Sequence, residues 1–571
     1  MGIPKFYGEF IRNKTSAIKE RYEGKIASLS IDLNGIIHNA TQKIFAYGAY
    51  DDLELRKLQQ LKDINVMYND VYHKVTSEIR RLYDKFRPDI LVVAVDGVAP
   101  LAKIDQQRSR RYINALTSSS DLLRFDSAAI SPGTDFMIGL DKFLQEWFAM
   151  ERNNLGFKLV YSSHLIPGEG EHKILDLMRS DLYDQEGLNL FHGADADLYM
   201  LSLVSPLKNI WIVREDVRGT NYIDIETLKL DINKAMLSDT AIQDFVILAF
   251  LLGNDFVPHI FSLNEVISTL DNVMLIYKQI AKPLVNPTDG RINFEAIKRI
   301  MASLAFGEAT AINRIAESVI KHPHPALEAS RTADGVDYQL FKDNWYRYNL
   351  VPKRFSTLIG SFYPDEPGRQ DIIKDAANAY YMTLEWVWLY YSKSVGAINL
   401  DWYYPYNFTP LLTDMIDPVI GNDQLVEADP VHKFYHPLQQ MFMIFNPKSS
   451  SLIPFGLGAL MTHSDFIDLY PIKCEISQDG YNTDWQKDIL LPPLDPQRIA
   501  DLIVPESVPN LNQKFPFENE LFIDVRENLK RKAYVNVKPK AISITPRLGT
   551  ASTLGSTSQG ALKRPLVMRR P

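Results

Sequence analysis

Acidic residues recur at the ends of predicted strands and at breaks between predicted elements in the first half of the chain. The seven are Asp32, Asp96, Glu169, Glu171, Asp195, Asp197 and Asp255. Taken singly, each occupies the place of an ordinary helix cap or turn residue. Brought together without partners, they would repel each other and raise each other's pKa values. Hard oxygen donors without a Cys or His cluster favour Mg²⁺ or Mn²⁺ over zinc. Because two such ions can hydrolyse a phosphodiester, these residues predict metal-dependent hydrolysis.

A face of cationic and amide side chains follows Asp96 closely in the sequence. Its residues are Lys103, Gln107, Arg110 and Arg111. In a helix these positions, i, i+4, i+7 and i+8, lie on one face. Such a face can bind an anion, and beside an acidic site it would suit a phosphate ester. The alternative is a solvated basic helix that Asp96 caps at its N-terminus.

Alternating strands and helices must bring these side chains together. Short, largely apolar runs predict strands at 26–32, 91–95, 157–162 and 188–192, of which 91–95 is rich in β-branched residues. A charged periodic segment predicts a helix over 51–86. Parallel strands end at one edge of their sheet, where α/β proteins bind ligands. The predicted fold is therefore α/β, with a mainly parallel sheet and helices on both faces.

Composition divides the chain into four parts. The α/β core is predicted to fill residues 1–270, and residues 271–335 read as a helical connection or insertion. Residues 336–504 are rich in aromatic side chains and predict a second, largely helical region packed against the core, with the run 380–391 buried in it. Residues 505–571 are transitional and then basic, and we expect this end to be disordered.

Charge and cysteine content exclude several classes of protein. The net charge is −8, and because the last 44 residues hold ten Lys or Arg and no acid, the rest of the chain is more acidic still. A polynucleotide would therefore be bound by a local pocket rather than by a uniformly basic surface. Cys474 is the only cysteine, which excludes an internal disulfide framework and predicts a reducing compartment. The longest apolar run, 245–253, is too short to cross a membrane.

Several motifs together resemble the eukaryotic 5′-to-3′ exoribonucleases of the Xrn type. They are IDLNGIIH (31–38), VDGVAPLAKIDQQRSRRY (95–112), SPGTDFM (131–137), PGEGEHKI (167–174), GADADLYML (193–201), GNDFVP (253–258) and DWYYPYNFTP (401–410). The resemblance extends over about residues 1–500. It implies a core like that of PIN and flap nucleases, in which the seven acids hold two Mg²⁺ ions, with Mn²⁺ as a substitute. It also implies that the cationic face forms a pocket for a 5′-monophosphate.

The resemblance assigns His38 and Trp402 to a pair of rings that stacks on the 5′-terminal base. Without it, a core histidine and a buried aromatic residue are the simpler interpretations. Stacking is tolerant of sequence, which suits an enzyme that advances along any RNA.

The implied activity is processive, Mg²⁺-dependent 5′-to-3′ hydrolysis of single-stranded, 5′-monophosphorylated RNA to mononucleotides, as in mRNA decay. Two alternatives are a structure-specific 5′ flap DNA nuclease and a catalytically silent RNA-binding scaffold; the presence of all seven acids argues against the scaffold. We expect a cytoplasmic protein that binds RNA and no membrane. The basic end leaves three roles open: added RNA affinity, docking of a protein partner, or nuclear targeting through Lys530–Lys532.

Overall fold

A computed structural model describes most of the chain up to residue 533. The described residues are 3, 5–59, 61–117, 125–151, 158–180, 182–193, 195–216, 219–237, 241–263, 266–318, 323–349, 366–416, 426–427, 433–464, 466–472, 474–477, 488–492, 494–503, 520–525 and 528–533. The predicted disorder of residues 534–571 lies outside them.

Thirteen strands occur in this part of the chain. They are β1 (Ile18–Lys19), β2 (Ile26–Asp32), β3 (Ile90–Ala94), β4 (Lys158–Ser162), β5 (Leu188–His192), β6 (Ile210–Asp216), β7 (Gly219–Asp224), β8 (Arg331–Thr332), β9 (Gly335–Val336), β10 (Glu475–Ser477), β11 (Asp488–Leu490), β12 (Glu520–Val525) and β13 (Asn528–Ala533). Nine of them form the main sheet in the order β1-β7-β6-β5-β2-β3-β4-β12-β13. The four pairings among β6, β5, β2, β3 and β4 are parallel, and the pairings outside them are antiparallel. The predicted mainly parallel core is therefore confirmed as the centre of a sheet with antiparallel edges.

Apolar side chains fill both faces of the parallel centre. Val92 and Val160 belong to one buried cluster, whereas Leu91 and Leu159 belong to another. Because successive side chains of a strand point to opposite faces, the two clusters lie on the two sides of the sheet. A strand buried on both faces can be a continuous apolar run rather than an alternating one, and β3, ILVVA, is such a run.

Helices cover these faces and build the second region. They are α1 (Arg12–Lys14), α2 (Leu33–Phe45), α3 (Leu53–Gln59), α4 (Ile64–Phe86), α5 (Leu101–Thr117), α6 (Asp135–Glu151), α7 (Gly170–Met178), α8 (Asp197–Val204), α9 (Ile225–Met236), α10 (Ile242–Phe250), α11 (Val266–Ile280), α12 (Phe294–Ala305), α13 (Glu308–Glu317), α14 (Pro325–Glu328), α15 (Tyr338–Asn349), α16 (Glu366–Ser392), α17 (Pro437–Ile444) and α18 (Pro496–Leu502). A π-helix spans Phe6–Ile11. In the described part of the chain, no helix is long and apolar enough to cross a membrane.

The aromatic region packs against the sheet domain through α16 and α17. Trp386 and Trp388 on α16 are almost completely buried, which confirms the predicted burial of the run 380–391. One hydrophobic cluster contains Val92 of the sheet together with Trp386 and residues as late as Ile503. The two regions therefore share a core, and α12 and α13 of the predicted connection also contribute side chains to it.

Two details differ from the sequence expectations. The segment 51–86 forms two helices, because the chain breaks before Asp63, whose carboxylate accepts the Asn65 N–H at 2.8 Å and caps α4. Strands β12 and β13 lie in the segment for which the sequence predicted no order. They form an antiparallel hairpin, and β12 pairs with β4. An edge strand needs partners for its backbone groups, and the hairpin supplies them to β4.

Candidate active site

Asp32 and Asp96 lie side by side at the carboxyl ends of two adjacent parallel strands. Asp32 is paired with Ala94, two residues before Asp96. Asn34 connects the two acids: its side chain donates to Asp96 Oδ2 at 2.6 Å and accepts the Asp96 N–H at 3.0 Å. The Asn34 N–H in turn donates to Asp32 Oδ1 at 3.3 Å, so that Asp32 caps α2. Asp32 and Asp96 therefore lie together, as their positions at the ends of two predicted strands led us to expect.

The first turn of α7 brings Glu169 and Glu171 to the same edge. The Gly170 N–H donates to Asp96 Oδ1 at 2.6 Å. A Cβ atom at Gly170 would lie 2.8 Å from Asp32 Oδ1, so the helix approaches this closely only because the residue is glycine. The two glutamates that flank Gly170 are consequently held beside the first pair.

The remaining acids complete one electrostatic group. Asp197 begins α8 and is buried, Asp195 is exposed, and Asp255 follows α10. Burial, and then repulsion by neighbouring acids, raises the pKa values of several members. The neighbours are Asp96 and Asp195 for Asp32, Asp197 and Glu169 for Glu171, and Asp255 for Asp197. Each of the seven predicted acids therefore lies within electrostatic range of at least one other.

Lys103 lies among these acids. Its Nζ is 2.6 Å from Glu169 Oε2 and 2.8 Å from Asp255 Oδ2, and its side chain is only 11% exposed. Burial lowers the pKa of Lys103, but the surrounding carboxylates, Asp255 first, raise it well above its ordinary value. Burial likewise acts to raise the pKa of Asp255, but Lys103 holds it well below the ordinary range. Lys103 is thus an internal counter-cation here, whereas the resemblance had assigned it to a phosphate pocket.

Two hydroxyl groups from α16 also reach the acids, and the sequence did not identify them. Tyr390 Oη donates to Glu169 Oε1 at 2.8 Å, and Tyr391 Oη donates to Asp197 Oδ1 at 2.7 Å. Burial, and then the neighbouring carboxylate, raises the pKa of each tyrosine well above its ordinary value, so both remain donors. The aromatic run 380–391 was predicted to be buried, but its composition gave no signal of the hydroxyl contacts. The sequence likewise gave no signal that Asn34 would contact the acids.

The predicted helical face on α5 exists, with its members in different surroundings. Arg110 is exposed. Arg111 donates to Ser131 Oγ at 2.8 Å, and its guanidinium lies 5.5 Å from the centre of the Phe445 ring. Burial lowers the pKa of Arg111 to about 10. The three cations therefore spread from the acids outward along one helix, and their role as a phosphate pocket stays a prediction.

Gln107 on the same face contacts α17. Gln440 accepts the Ala99 N–H through Oε1 at 3.0 Å, which leaves its Nε2 as the donor to Gln107 Oε1 at 3.4 Å. Because Gln107 accepts through its amide oxygen, its amide nitrogen is directed away from Gln440. This orientation suits a group that is to donate a hydrogen bond to an anion.

His38 and Trp402 are not in ring contact in the described part of the chain. The His38 side chain on α2 is exposed, and partial loss of hydration, and then the cations Arg111 and Arg110, lower its pKa. Trp402 is 4% exposed and donates its indole N–H to Thr383 Oγ1 at 3.1 Å. As it stands, Trp402 is a buried aromatic residue with a satisfied N–H, and the stacking role of the pair stays a prediction.

The donors of this group suit a hard divalent cation, although their present arrangement does not enclose one. They are carboxylates only, crowded enough to raise each other's pKa values, and Mg²⁺ prefers such oxygen ligands. Over the described ranges, no group of three or more Asp, Glu, His or Cys side chains is arranged to hold a metal ion. Lys103 supplies a physical reason, because its ammonium group occupies the space between Glu169 and Asp255. Cations at these two carboxylates would compete with Lys103 for their oxygens.

Comparisons with known proteins match nearly the whole described chain to one family. Residues 1–216 match the family model of the XRN 5′-3′ exonuclease N-terminus, and residues 236–336 and 361–525 match that of the Xrn1 helical domain. Among similar curated proteins, 5′-3′ exoribonuclease 1 of Homo sapiens is 26% identical over 88% of this chain and 34% of its own length. The 5′-3′ exoribonuclease 2 homolog of Drosophila melanogaster is 26% identical over 99% of this chain and 79% of its own.

The chain spans only part of most of these relatives, for example 43% of the length of 5′-3′ exoribonuclease 1 of Saccharomyces cerevisiae, to which it is 23% identical over 88% of its own length. Among solved structures, the catalytic core of Rad2 in complex with DNA substrate is similar at 14% identity. The match covers 55% of this chain and 82% of that chain. Its TM-score of 0.29 is too low to establish a shared fold. The two family models are successive and together extend from residue 1 to residue 525. The chain belongs to the XRN family of 5′-3′ exonucleases.

Proposed function

We propose that this protein is a 5′-to-3′ exoribonuclease that hydrolyses single-stranded RNA from a 5′-monophosphate, processively and with Mg²⁺. One observation carries the proposal: an acidic group at the carboxyl edge of a parallel sheet adjoins a helix, α5, that carries Lys103, Arg110 and Arg111 on one face. The acids provide for hydrolysis, and the cations provide for recognition of the end. Family membership supports the direction of attack and the RNA substrate, because the related proteins are named 5′-3′ exoribonucleases.

The seven acids would hold two divalent cations. Ions held there would supply Lewis-acid chemistry, which favours ionisation of a water and stabilises negative charge on a leaving oxygen. The chain's own contribution is to fix the carboxylates. Asn34 and the Gly170 N–H hold Asp96, and Asn34 also donates to Asp32. Because these donors are neutral, they orient the carboxylates without cancelling the charge that attracts a cation.

The cationic face of α5 would bind the terminal phosphate. Arg110 is exposed and Arg111 lies beside it, while the Gln107 amide accepts from Gln440 through its oxygen, so that its nitrogen can serve as a donor. Lys103 would join them once cations replace it between Glu169 and Asp255. A 5′-hydroxyl end lacks the charge that this face attracts, and a 5′-triphosphate adds charge and bulk beyond it. The expected selectivity is therefore for a monophosphate.

The test is a time course on RNAs that differ only in the 5′ group. Three single-stranded RNAs of one sequence, labelled at the 3′ end, carry a 5′-monophosphate, a 5′-triphosphate or a 5′-hydroxyl. We expect Mg²⁺-dependent release of mononucleotides from the first and slow release from the others. Equal rates on all three would contradict the phosphate pocket, and undiminished rates in EDTA would contradict the metal site.

Two further arms test the substrate and processivity. A 5′-phosphorylated DNA strand and a DNA flap of the same sequence should be degraded more slowly than the RNA; faster cleavage of the flap would favour a flap nuclease instead. Excess unlabelled RNA added after the reaction begins should leave bound molecules to be degraded to completion. Arrest of all labelled strands at intermediate lengths would indicate a distributive enzyme.

A further inference from the structure

The end of α16 places two phenol groups on two of the acids across the boundary between the regions. Tyr390 and Tyr391 lie in the aromatic region, whereas Glu169 and Asp197 lie in the sheet domain more than 190 residues earlier. Both rings are at least 99% buried, and the hydrogen bonds measure 2.8 and 2.7 Å. Adjacent residues of a helix point in different directions, yet here both reach the same acidic group.

Neighbouring rings hold both tyrosines in place. The His172 ring stacks on Tyr390 at 3.6 Å with an angle of 10° between the planes. Phe250 meets Tyr391 edge-on at 5.2 Å. Phe256, which follows Asp255 in the chain, lies edge-on to Tyr390 at 5.8 Å and to Tyr391 at 6.5 Å. Rings packed on several sides cannot swing away, so the two hydroxyls are fixed donors rather than adaptable ones.

Each hydroxyl occupies one carboxylate oxygen. Tyr390 takes Oε1 of Glu169, and Tyr391 takes Oδ1 of Asp197. The second oxygen of Glu169 faces Lys103 at 2.6 Å. A neutral donor on one oxygen fixes the plane of the carboxyl group and leaves its other oxygen and its full charge to a cation. Partners of this kind typically tune metal affinity through the ligand that they orient.

We propose that Tyr390 and Tyr391 are positioning residues that hold Glu169 and Asp197 ready to bind divalent cations, so that the aromatic region sets the metal affinity of the sheet domain. This inference rests on the proposed metal site. The competing explanation is that the two hydroxyls only satisfy buried groups and stabilise the fold. The two explanations differ in one respect: a positioning role acts on metal affinity through a particular carboxylate, whereas a stabilising role does not.

The experiment measures Mn²⁺ binding to the full chain by electron paramagnetic resonance of the free ion. Tyr390→Phe and Tyr391→Phe each remove one hydroxyl and keep the ring. We expect each to raise the Kd for Mn²⁺ about tenfold. Tyr380→Phe is the matched control, because Tyr380 lies on the same helix, is equally buried, and its hydroxyl has no hydrogen-bond partner among the residues that the structure describes. Its Kd should equal that of the wild type.

A double-mutant comparison separates positioning from general loosening of the fold. In an Asp197→Asn background, Tyr391→Phe should have no further effect on the Kd, because the carboxylate through which it acts is gone. Additive effects would overturn the proposal, as would wild-type Kd values in both Phe variants. Loss of the native circular dichroism spectrum in both would make the hydroxyls requirements of folding and would also overturn it. A wild-type chain that binds no Mn²⁺ would instead contradict the proposed metal site itself.

Discussion

Replacement of Lys103 by methionine tests the charge balance of the acidic group directly. Methionine keeps an unbranched chain of similar length and removes the ammonium group. In the wild type that group lies 2.6 Å from Glu169 Oε2 and 2.8 Å from Asp255 Oδ2. Both carboxylates are nearly inaccessible, with 4% and 3% of their side chains exposed. The variant would leave two buried negative charges without their cation.

The size of the effect follows from this burial. Removing one partner of a buried ion pair costs about 3–5 kcal/mol, because the other charge stays buried and unpaired. We expect a loss of that order in the free energy of unfolding in EDTA at pH 7. Mg²⁺ should restore part of it, because cations can take the place of the ammonium group. It should stabilise the variant more than the wild type, in which Lys103 competes for the same carboxylates.

Urea unfolding followed by tryptophan fluorescence measures both effects. Lys208→Met is the control: Lys208 pairs with Glu186 at 3.3 Å, but the two side chains are 65% and 78% exposed. Its loss should change the free energy of unfolding by less than about 1 kcal/mol. The reasoning is refuted if Lys103→Met is as stable as the wild type in EDTA, or if Mg²⁺ stabilises both proteins equally.

Three further outcomes are expected. Asp195→Asn changes an exposed residue and should leave the circular dichroism spectrum intact. It should slow hydrolysis about 100-fold, because it removes a proposed metal ligand worth about 3 kcal/mol of transition-state stabilisation. Near-normal rates would exclude Asp195 from the site. Gly170→Ala should force Asp32 to move, because the new Cβ would lie 2.8 Å from Asp32 Oδ1, and it should lower both stability and activity. Gly35→Ala, whose Cβ would meet nothing within 4 Å, should instead raise the free energy of unfolding by about 0.5–1 kcal/mol. Equal unfolding midpoints for the two variants would contradict the close approach at Gly170. Burial lowers the pKa of His324 from 6.5 to about 4, so the ring is neutral in the folded protein. The free energy of unfolding should therefore fall by about 3 kcal/mol as the pH falls from about 6.5 to 4. His324→Asn should flatten that part of the profile of stability against pH, and an unchanged profile would contradict the pKa shift.

The centre of the fold was predictable because its strands are short, largely apolar segments that end at turn residues. β2 and β5 were expected at 26–32 and 188–192, and they occupy these residues. The edge strands of the sheet were harder to predict from the sequence. The hairpin of β12 and β13 lies in a segment of mixed polarity, and its order depends on the free edge of β4, a partner more than 350 residues away. No local pattern contains that information.

The acidic group was predictable from strand ends, but its internal contacts were not. Strand position alone brought Asp32 and Asp96 together. That Lys103 lies between Glu169 and Asp255 depends on the path of α5 after the turn at Gly97, where a Cβ would lie 1.9 Å from the Ile166 carbonyl oxygen. Helical spacing gives the relative directions of side chains on one helix, but it does not give the distance of that helix from another element.

Arg108 makes hydrogen bonds that place no demand on the side chains of the residues that accept them. It lies on α5 between Gln107 and Ser109, is buried, and donates to the main-chain carbonyls of Pro492 at 2.6 Å and Leu469 at 2.8 Å. A carbonyl oxygen is present whatever side chain the residue carries. The two receiving positions can therefore accept many substitutions and keep the contact, whereas Arg108 itself cannot be replaced by lysine without losing its two-pronged geometry. Related chains that differ widely at 469 and 492 would still attach this helix to the second region in the same way.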